Sequence, residues 1–381
     1  MVNRETCANR SRPAPAWRRL AGQLARIAVC ALLLLWIFHV IFCNEAQLFL
    51  SETGGTWSSM TKWEQRSLAW TRGPSELWRM TRRIHPLALA AAFVQCGLLV
   101  VLGGFRWRQV MRIQGLELSY RETTRISFVA HFFNAFLLGS TGGDVVKAWY
   151  AARTTHHKKA EAVLSVFVDR LIGILALLLS AVALMPWNIP LILQYKRYAG
   201  ACGVIVAMAV TAGGLVVIAF HTDALHHEGR FAHLFSRLPL GASVGRALAA
   251  CRLFGRHPGF TQSMAAWSLV INFLLVGSFA VLAWGLHISI PPQALWMVVP
   301  MIICIAAIPV TPSGLGVREN LFFYLLSVPM LGVKPSEAVT LSLLAYSINL
   351  SWSALGGVVY LFMPDRGALK TADLEEEDVT S

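Results

Sequence analysis

Hydrophobic positions in this chain fall in long blocks rather than in the short periods of a water-soluble domain. Five runs, residues 27–43, 86–105, 199–220, 264–286 and 338–363, contain no Asp, Glu, Lys or Arg. A sixth, 163–185, is interrupted only by Asp169 and Arg170 near its start. A helix rises 1.5 Å per residue, so roughly 17–25 residues cross the hydrocarbon core of a bilayer. The six runs therefore predict six full spans. Two further apolar segments, 126–139 and 320–333, have 14 residues each and are too short to cross untilted. Each adjoins a glycine-rich polar hinge, at 139–144 and at 311–316. They read as halves of two re-entrant broken-helix hairpins, with 294–310 as the other arm of the second. The predicted fold is an all-α, polytopic membrane helical bundle. Paired discontinuous helices are how membrane transporters build a binding site at depth.

Charge placement orients this bundle. The chain has 33 Lys and Arg against 20 Asp and Glu, a net charge of +13, unevenly spread. The leader before residue 27 has six Arg and one acid, residues 106–125 have five Arg and two Glu, and 221–262 have five Arg against Asp223 and Glu228. Basic loops stay in the cytoplasm. All three segments can do so only if the segment from residue 126 dips in from the cytoplasm and returns. The second hairpin then enters from outside, and both termini are cytoplasmic. Opposed entry of two similar hairpins is the pattern of an inverted repeat.

Four regions follow: a basic leader at 1–26, a signal-anchor span with a Trp-rich external loop at 27–85, a transmembrane domain at 86–363, and an acidic tail at 364–381. The first apolar run exceeds the 7–15 residues of a signal-peptide core, and no small-x-small site follows Cys43, so it is expected to remain as an anchor. In the loop, Trp57, Trp63, Trp70 and Trp78 alternate with charge. That pattern suits an amphipathic segment at headgroup level, or a substrate-recognition cap. The seven scattered cysteines show no CxxC or Cys/His spacing, so neither metal nor cofactor is expected. The basic clusters flank spans, where anionic lipid is a nearer partner than nucleic acid.

The hinges carry the candidate chemistry. In the first, Gly139, Gly142 and Gly143 oppose a continuous helix, and a helix restarting near Asp144 would aim free N–H groups at an anion such as phosphate. Asp144 serves equally as an N-cap. Lys147 could reach that anion or snorkel to the interface. Asn134 and His131 lie on the incoming arm, where any polar group must be bonded internally. In the second hinge, Pro309 and Pro312 end one arm, Gly314 and Gly316 supply the turn, and Arg318 and Glu319 follow between apolar arms. Asp169 and Arg170, roughly 10 Å along their span by helical rise, either sit at the interface or face a cavity shared with both hinges. Charges at such depth are by default functional. Asn134, Gly142, Gly143, Asp144, Lys147, Asp169, Arg170, Pro312, Gly314, Gly316, Arg318 and Glu319 make up the candidate substrate-binding set. No catalytic residue is proposed, since no GxSxG, HExxH, Walker or GxGxxG context occurs.

Three segments in order, NAFLLGSTGGDVVKAWYAAR, VDRLIG and IPVTPSGLGVRE, resemble the membrane region of lysylphosphatidylglycerol synthetases/flippases. The resemblance runs from about Pro86 to Met363. Leu138 stands where members often have proline, Lys147 replaces the usual arginine, and Ser313 replaces a glycine. The resemblance implies an integral inner-membrane, flippase-like protein that binds and moves a lipid with a polar or phosphate-containing headgroup. The lipid partners it implies are anionic, aminoacylated or polyprenyl-phosphate lipids. The soluble aminoacyl-transferase domain of full-length synthetases has no counterpart in these 381 residues, so enzyme activity is not expected. The alternative is a non-catalytic or catalytic subunit in polyprenyl-phosphate-linked glycan assembly, working with a glycosyltransferase or transferase partner.

Overall fold

The computed structural model describes residues 54–135, 142–154, 159–221, 258–308, 314 and 316–363, with isolated positions between 32 and 50. Eleven α-helices and no strands occur among the described residues. They are α1 (Lys62–Arg83), α2 (Pro86–Ile113), α3 (Tyr120–Asn134), α4 (Gly142–Thr154), α5 (Lys159–Leu184), α6 (Ile189–Gln194), α7 (Lys196–His221), α8 (Pro258–Gly285), α9 (Pro292–Ala306), α10 (Val317–Leu326) and α11 (Pro335–Leu361). The fold is an all-α polytopic bundle. Five helices, α2, α5, α7, α8 and α11, are long and apolar enough to cross a membrane. They correspond to five of the six predicted spans. The sixth, 27–43, lies mostly outside the described residues, as do the leader, most of 221–262 and the acidic tail.

Sequence sets the ends of these helices. Pro86, Pro292 and Pro335 occupy first-turn positions, where a missing N–H costs nothing. Ser119 caps α3 through the Glu122 amide, and the Glu122 carboxylate answers the Ser119 N–H. Thr61 and Glu64 form the same reciprocal pair at the start of α1. The Thr61 N–H, then its hydroxyl, hold the Glu64 carboxyl below its ordinary pKa. On α1, Ala69 is fully buried beside Phe42 and Ala46, whereas Trp63 and Trp70 remain exposed.

The bundle has two ends. The Gly285 carbonyl accepts from the His85 N–H at 3.0 Å, so the end of α8 meets the start of α2. At the opposite end, Phe260 and Met264 of α8 pack with Val110 of α2. The His85 end and the Ile113 end are therefore the two faces of the molecule. Helices α3 and α4 form one hairpin, entering and leaving at the Ile113 end, where Ala148 and Tyr150 pack against Trp107, Met111 and Leu118. Helices α9 and α10 form a second hairpin at the other end. There Asn188 Nδ2 donates to the Gln293 carbonyl at 3.0 Å, and Tyr198 donates to the Leu325 carbonyl. At 15, 13, 15 and 10 residues, none of the four arms can cross a bilayer alone. The two hairpins enter from opposite faces, as charge placement predicted.

Side chains such as Val210, Leu269 and Phe273 are well exposed along the spans, as expected where the surrounding solvent is lipid. The main core gathers α2, α5 and α7 to α11 around Leu178, Tyr198, Val298, Phe322 and Leu341. A polar region is buried beside it.

Candidate functional site

The first hairpin closes on a glycine that tolerates no side chain. A Cβ on Gly143 would lie 1.9 Å from the Ala130 carbonyl oxygen, so α3 and α4 touch backbone to backbone. The Gly143 N–H donates to Asn134 Oδ1 at 2.7 Å. Asn134 thus serves as a helix–helix hydrogen-bonding group that caps α4 from the incoming arm. That bond occupies one of the N–H groups expected to face an anion. Asp144 sits inside the first turn rather than at the N-cap, because the helix already begins at Gly142. Its carboxylate pairs with Arg170 of α5 at 3.5 Å.

Asp169 of α5 is the hub of the next layer. Arg106 Nε of α2 donates to Asp169 Oδ1 at 2.9 Å, and Lys147 Nζ of α4 reaches Oδ2 at 3.4 Å. Arg106 also donates through Nη1 to Ser268 Oγ of α8 at 3.0 Å and through Nη2 to the Asp169 carbonyl at 3.2 Å. The Lys147 ammonium lies 4.3 Å from the centre of the Trp107 ring, a favourable cation–π position. Trp107 is fully buried and donates to Ser165 Oγ. Lys147 is therefore held inside the protein and does not snorkel outward. Gly173 makes room for Arg106: a Cβ there would stand 2.8 Å from Nη2.

The second hinge is built differently. Gly314 and Gly316 have φ of +71° and +80°, a region L side chains avoid. The Gly316 N–H donates to Glu319 Oε2 at 2.7 Å, while Glu319 Oε1 accepts from Arg318 Nη2 at 2.8 Å. Arg318 Nε donates to Ser342 Oγ of α11 at 3.2 Å, and its guanidinium lies 4.6 Å from the centre of the Tyr346 ring. Pro312 and hinge residues 139–141, 309–311, 313 and 315 lie outside the described residues.

A cavity of about 360 Å³ lies between the second hairpin and the long helices α2, α5, α8 and α11. Arg106, Arg170 and Arg318 line it, with Ile303, Cys304, Ala306 and Ala307 at the end of α9 and apolar side chains of α2, α5 and α8, among them Leu99, Leu177 and Phe279. Of the candidate set, Arg170 and Arg318 face this cavity. Asp169, Asp144 and Glu319 stand behind the arginines, and Lys147 lies among them. Arg106, Ser268, Asn272, Ser342, Tyr346 and Asn349 escaped the sequence reading. Arg106 ends an uncharged run and counted there only as part of a basic flank. Asn272 was legible in principle, as a lone amide inside the charge-free run 264–286.

Residues 67–356 match the family model described as the lysylphosphatidylglycerol synthase TM region. The chain belongs to that family. A relative described as "UPF0104 membrane protein", from Methanothermobacter thermautotrophicus, is 25% identical over 293 residues, which cover 68% of this chain and 79% of the relative. The family is a membrane region of lysylphosphatidylglycerol synthase-like proteins, and this member is an integral membrane protein.

Proposed function

We propose that this family member binds, and carries across the membrane, a lipid whose headgroup contains phosphate. The observation that supports this reading is the cavity, apolar over most of its wall and edged by the guanidinium groups of Arg106, Arg170 and Arg318. A guanidinium has five N–H donors. Arg106 uses Nε, Nη1 and Nη2 within the protein and Arg318 uses Nε and Nη2, so each keeps N–H capacity for an anion. Apolar walls suit the chains that follow the head. The recognition is of the arginine–phosphate kind, because the hinge amides of Gly143 and Gly316 already donate to side chains.

The Ile113 end carries Arg108, Arg112, Arg121 and Arg125, which supports placing it in the cytoplasm of a cell whose inner membrane holds the protein. The two hairpins then enter from opposite leaflets, the second lining the cavity and the first backing its Arg170 through Asp144. Movement of either arm against the fixed long helices would open the cavity to one face at a time.

The test is reconstitution into liposomes with fluorescent anionic lipids and a membrane-impermeant quencher. Lipid should become accessible faster than in empty vesicles, and Arg170→Gln and Arg318→Gln should lower the rate about tenfold or more, in keeping with loss of a charge-assisted bond. No movement above empty vesicles, across a panel that includes polyprenyl phosphate, would overturn the proposal.

A further inference from the structure

Two observations about the cavity go beyond a phosphate site. The first is an amide. Asn272, midway along α8, lines the cavity, is 6% exposed, and its Nδ2 has no hydrogen-bond partner. A donor buried at that depth without a partner is costly. Asn272 lies one turn beyond Ser268, which binds Arg106, so amide and guanidinium follow each other along one face of α8. Asn349, midway along α11, lines the cavity too, two turns beyond the Ser342 that binds Arg318. Arg106 and Arg318 are thus each followed, along the neighbouring long helix, by an asparagine. A phosphate needs donors only; an amide offers a donor and an acceptor, the complement of a hydroxyl.

The second observation is the charge balance. Four cations, Arg106, Lys147, Arg170 and Arg318, meet three carboxylates, Asp144, Asp169 and Glu319, leaving a formal charge of +1. No carboxylate lines the cavity among the described residues, and the hinge segments 136–141 and 309–313 contain none. One surplus positive charge matches the single negative charge of a phosphodiester. An ammonium-bearing headgroup would meet guanidinium groups and no exposed acid.

We infer that the cavity selects a phosphodiester headgroup carrying hydroxyls, a glycerol or a sugar, with Asn272 and Asn349 reading the hydroxyls, and rejects aminoacylated heads. This inference rests on the lipid-binding proposal above and narrows its substrate.

The experiment measures binding to the full chain in nanodiscs by native mass spectrometry. Four probes are titrated: phosphatidylglycerol, a polyprenyl-phosphate hexose, phosphatidic acid and lysylphosphatidylglycerol. The first two share the diester and hydroxyls, phosphatidic acid lacks the hydroxyls, and the last adds amines. One of the first two should bind about tenfold tighter than phosphatidic acid or the lysyl lipid, the scale of one or two neutral hydrogen bonds. Which of the two leads tells glycerol from sugar. Asn272→Leu should shrink that preference to under threefold while leaving phosphatidic acid affinity unchanged. Should this variant fail to elute as a folded species, Asn349→Leu supplies the same comparison. Equal affinity for phosphatidylglycerol, the hexose lipid and phosphatidic acid overturns this inference and leaves the phosphate proposal standing. So does an Asn272→Leu variant that weakens all four probes alike. Binding of none of them overturns both.

Discussion

The two hairpins carry the same kinds of residue and solve the problem of buried charge in opposite ways. In the first, the carboxylate that matters belongs to another helix: Asp169 of α5 holds Arg106 of α2 and Lys147 of α4, and Asp144 of α4 pairs with Arg170 of α5. In the second, acid and base are neighbours in sequence, Arg318 and Glu319, and the same carboxylate also closes the hinge on the Gly316 N–H. The first arrangement exists only when α2, α4 and α5 are packed together; the second is nearly complete within a few residues. A shared set of residue types does not imply a shared way of being held.

The largest expected effect tests that contrast directly. Asp169→Asn leaves Arg106 and Lys147 buried without a carboxylate, their side chains only 10% exposed. Stranding buried charge costs about 3–5 kcal/mol, so the variant should be recovered poorly or melt far below the wild type in detergent. Glu319→Gln keeps an acceptor for the Gly316 N–H, and Arg318 keeps Ser342 and the Tyr346 ring. Its cost should be about 1–3 kcal/mol. Equal losses in melting temperature for the two variants would break the comparison.

The glycines give the next effect. Gly143→Ala must separate α3 from α4, since the clash at 1.9 Å is with the Ala130 backbone, which no side-chain adjustment relieves. Overpacking of this kind costs about 1–3 kcal/mol. Gly316→Ala meets no atom within 4 Å, but its φ of +80° and ψ of −45° lie where an L residue is strained, again at about 1–3 kcal/mol. Similar melting shifts would then have different causes. Cysteine cross-linking between the arms separates them: Gly143→Ala should slow it in the first hairpin, and Gly316→Ala should leave the second unchanged.

Much of this layout was legible because lipid imposes simple rules. A charge-free run long enough to span is a helix, and the span lengths of α2, α5, α7, α8 and α11 follow from counting. Opposed hairpin entry was legible from the arginines of the loops. In the second hinge, Arg318 and Glu319 could be found because they are adjacent and out of place. The pairing in the first hinge could not, because Arg106 lies 63 residues from Asp169 and 162 from Ser268. Nothing local distinguishes a guanidinium that turns inward from one that meets headgroups at a helix end. The amides of the first hinge looked like an anion site from sequence, since only the folded structure shows Asn134 taking the Gly143 donor.

The smallest effect separates holding the hinge from binding the ligand. Asn134→Ala removes the acceptor for the Gly143 N–H and should cost about 1 kcal/mol, as for other caps. Ser342→Ala, its counterpart near the second hinge, removes longer contacts of 3.2 and 3.4 Å and should cost about 0.5–1.5 kcal/mol. Asn134→Asp restores the acceptor, so stability should return close to wild type. It also places a carboxylate beside Asp144, which cancels the surplus positive charge of the site. A variant as stable as the wild type but weaker by several-fold for phosphatidylglycerol would show that the first hairpin contributes charge as well as architecture. If Asn134→Asp regained stability and bound the lipid unchanged, the arginines would be acting one by one, and the charge balance across the two hairpins would not govern the site.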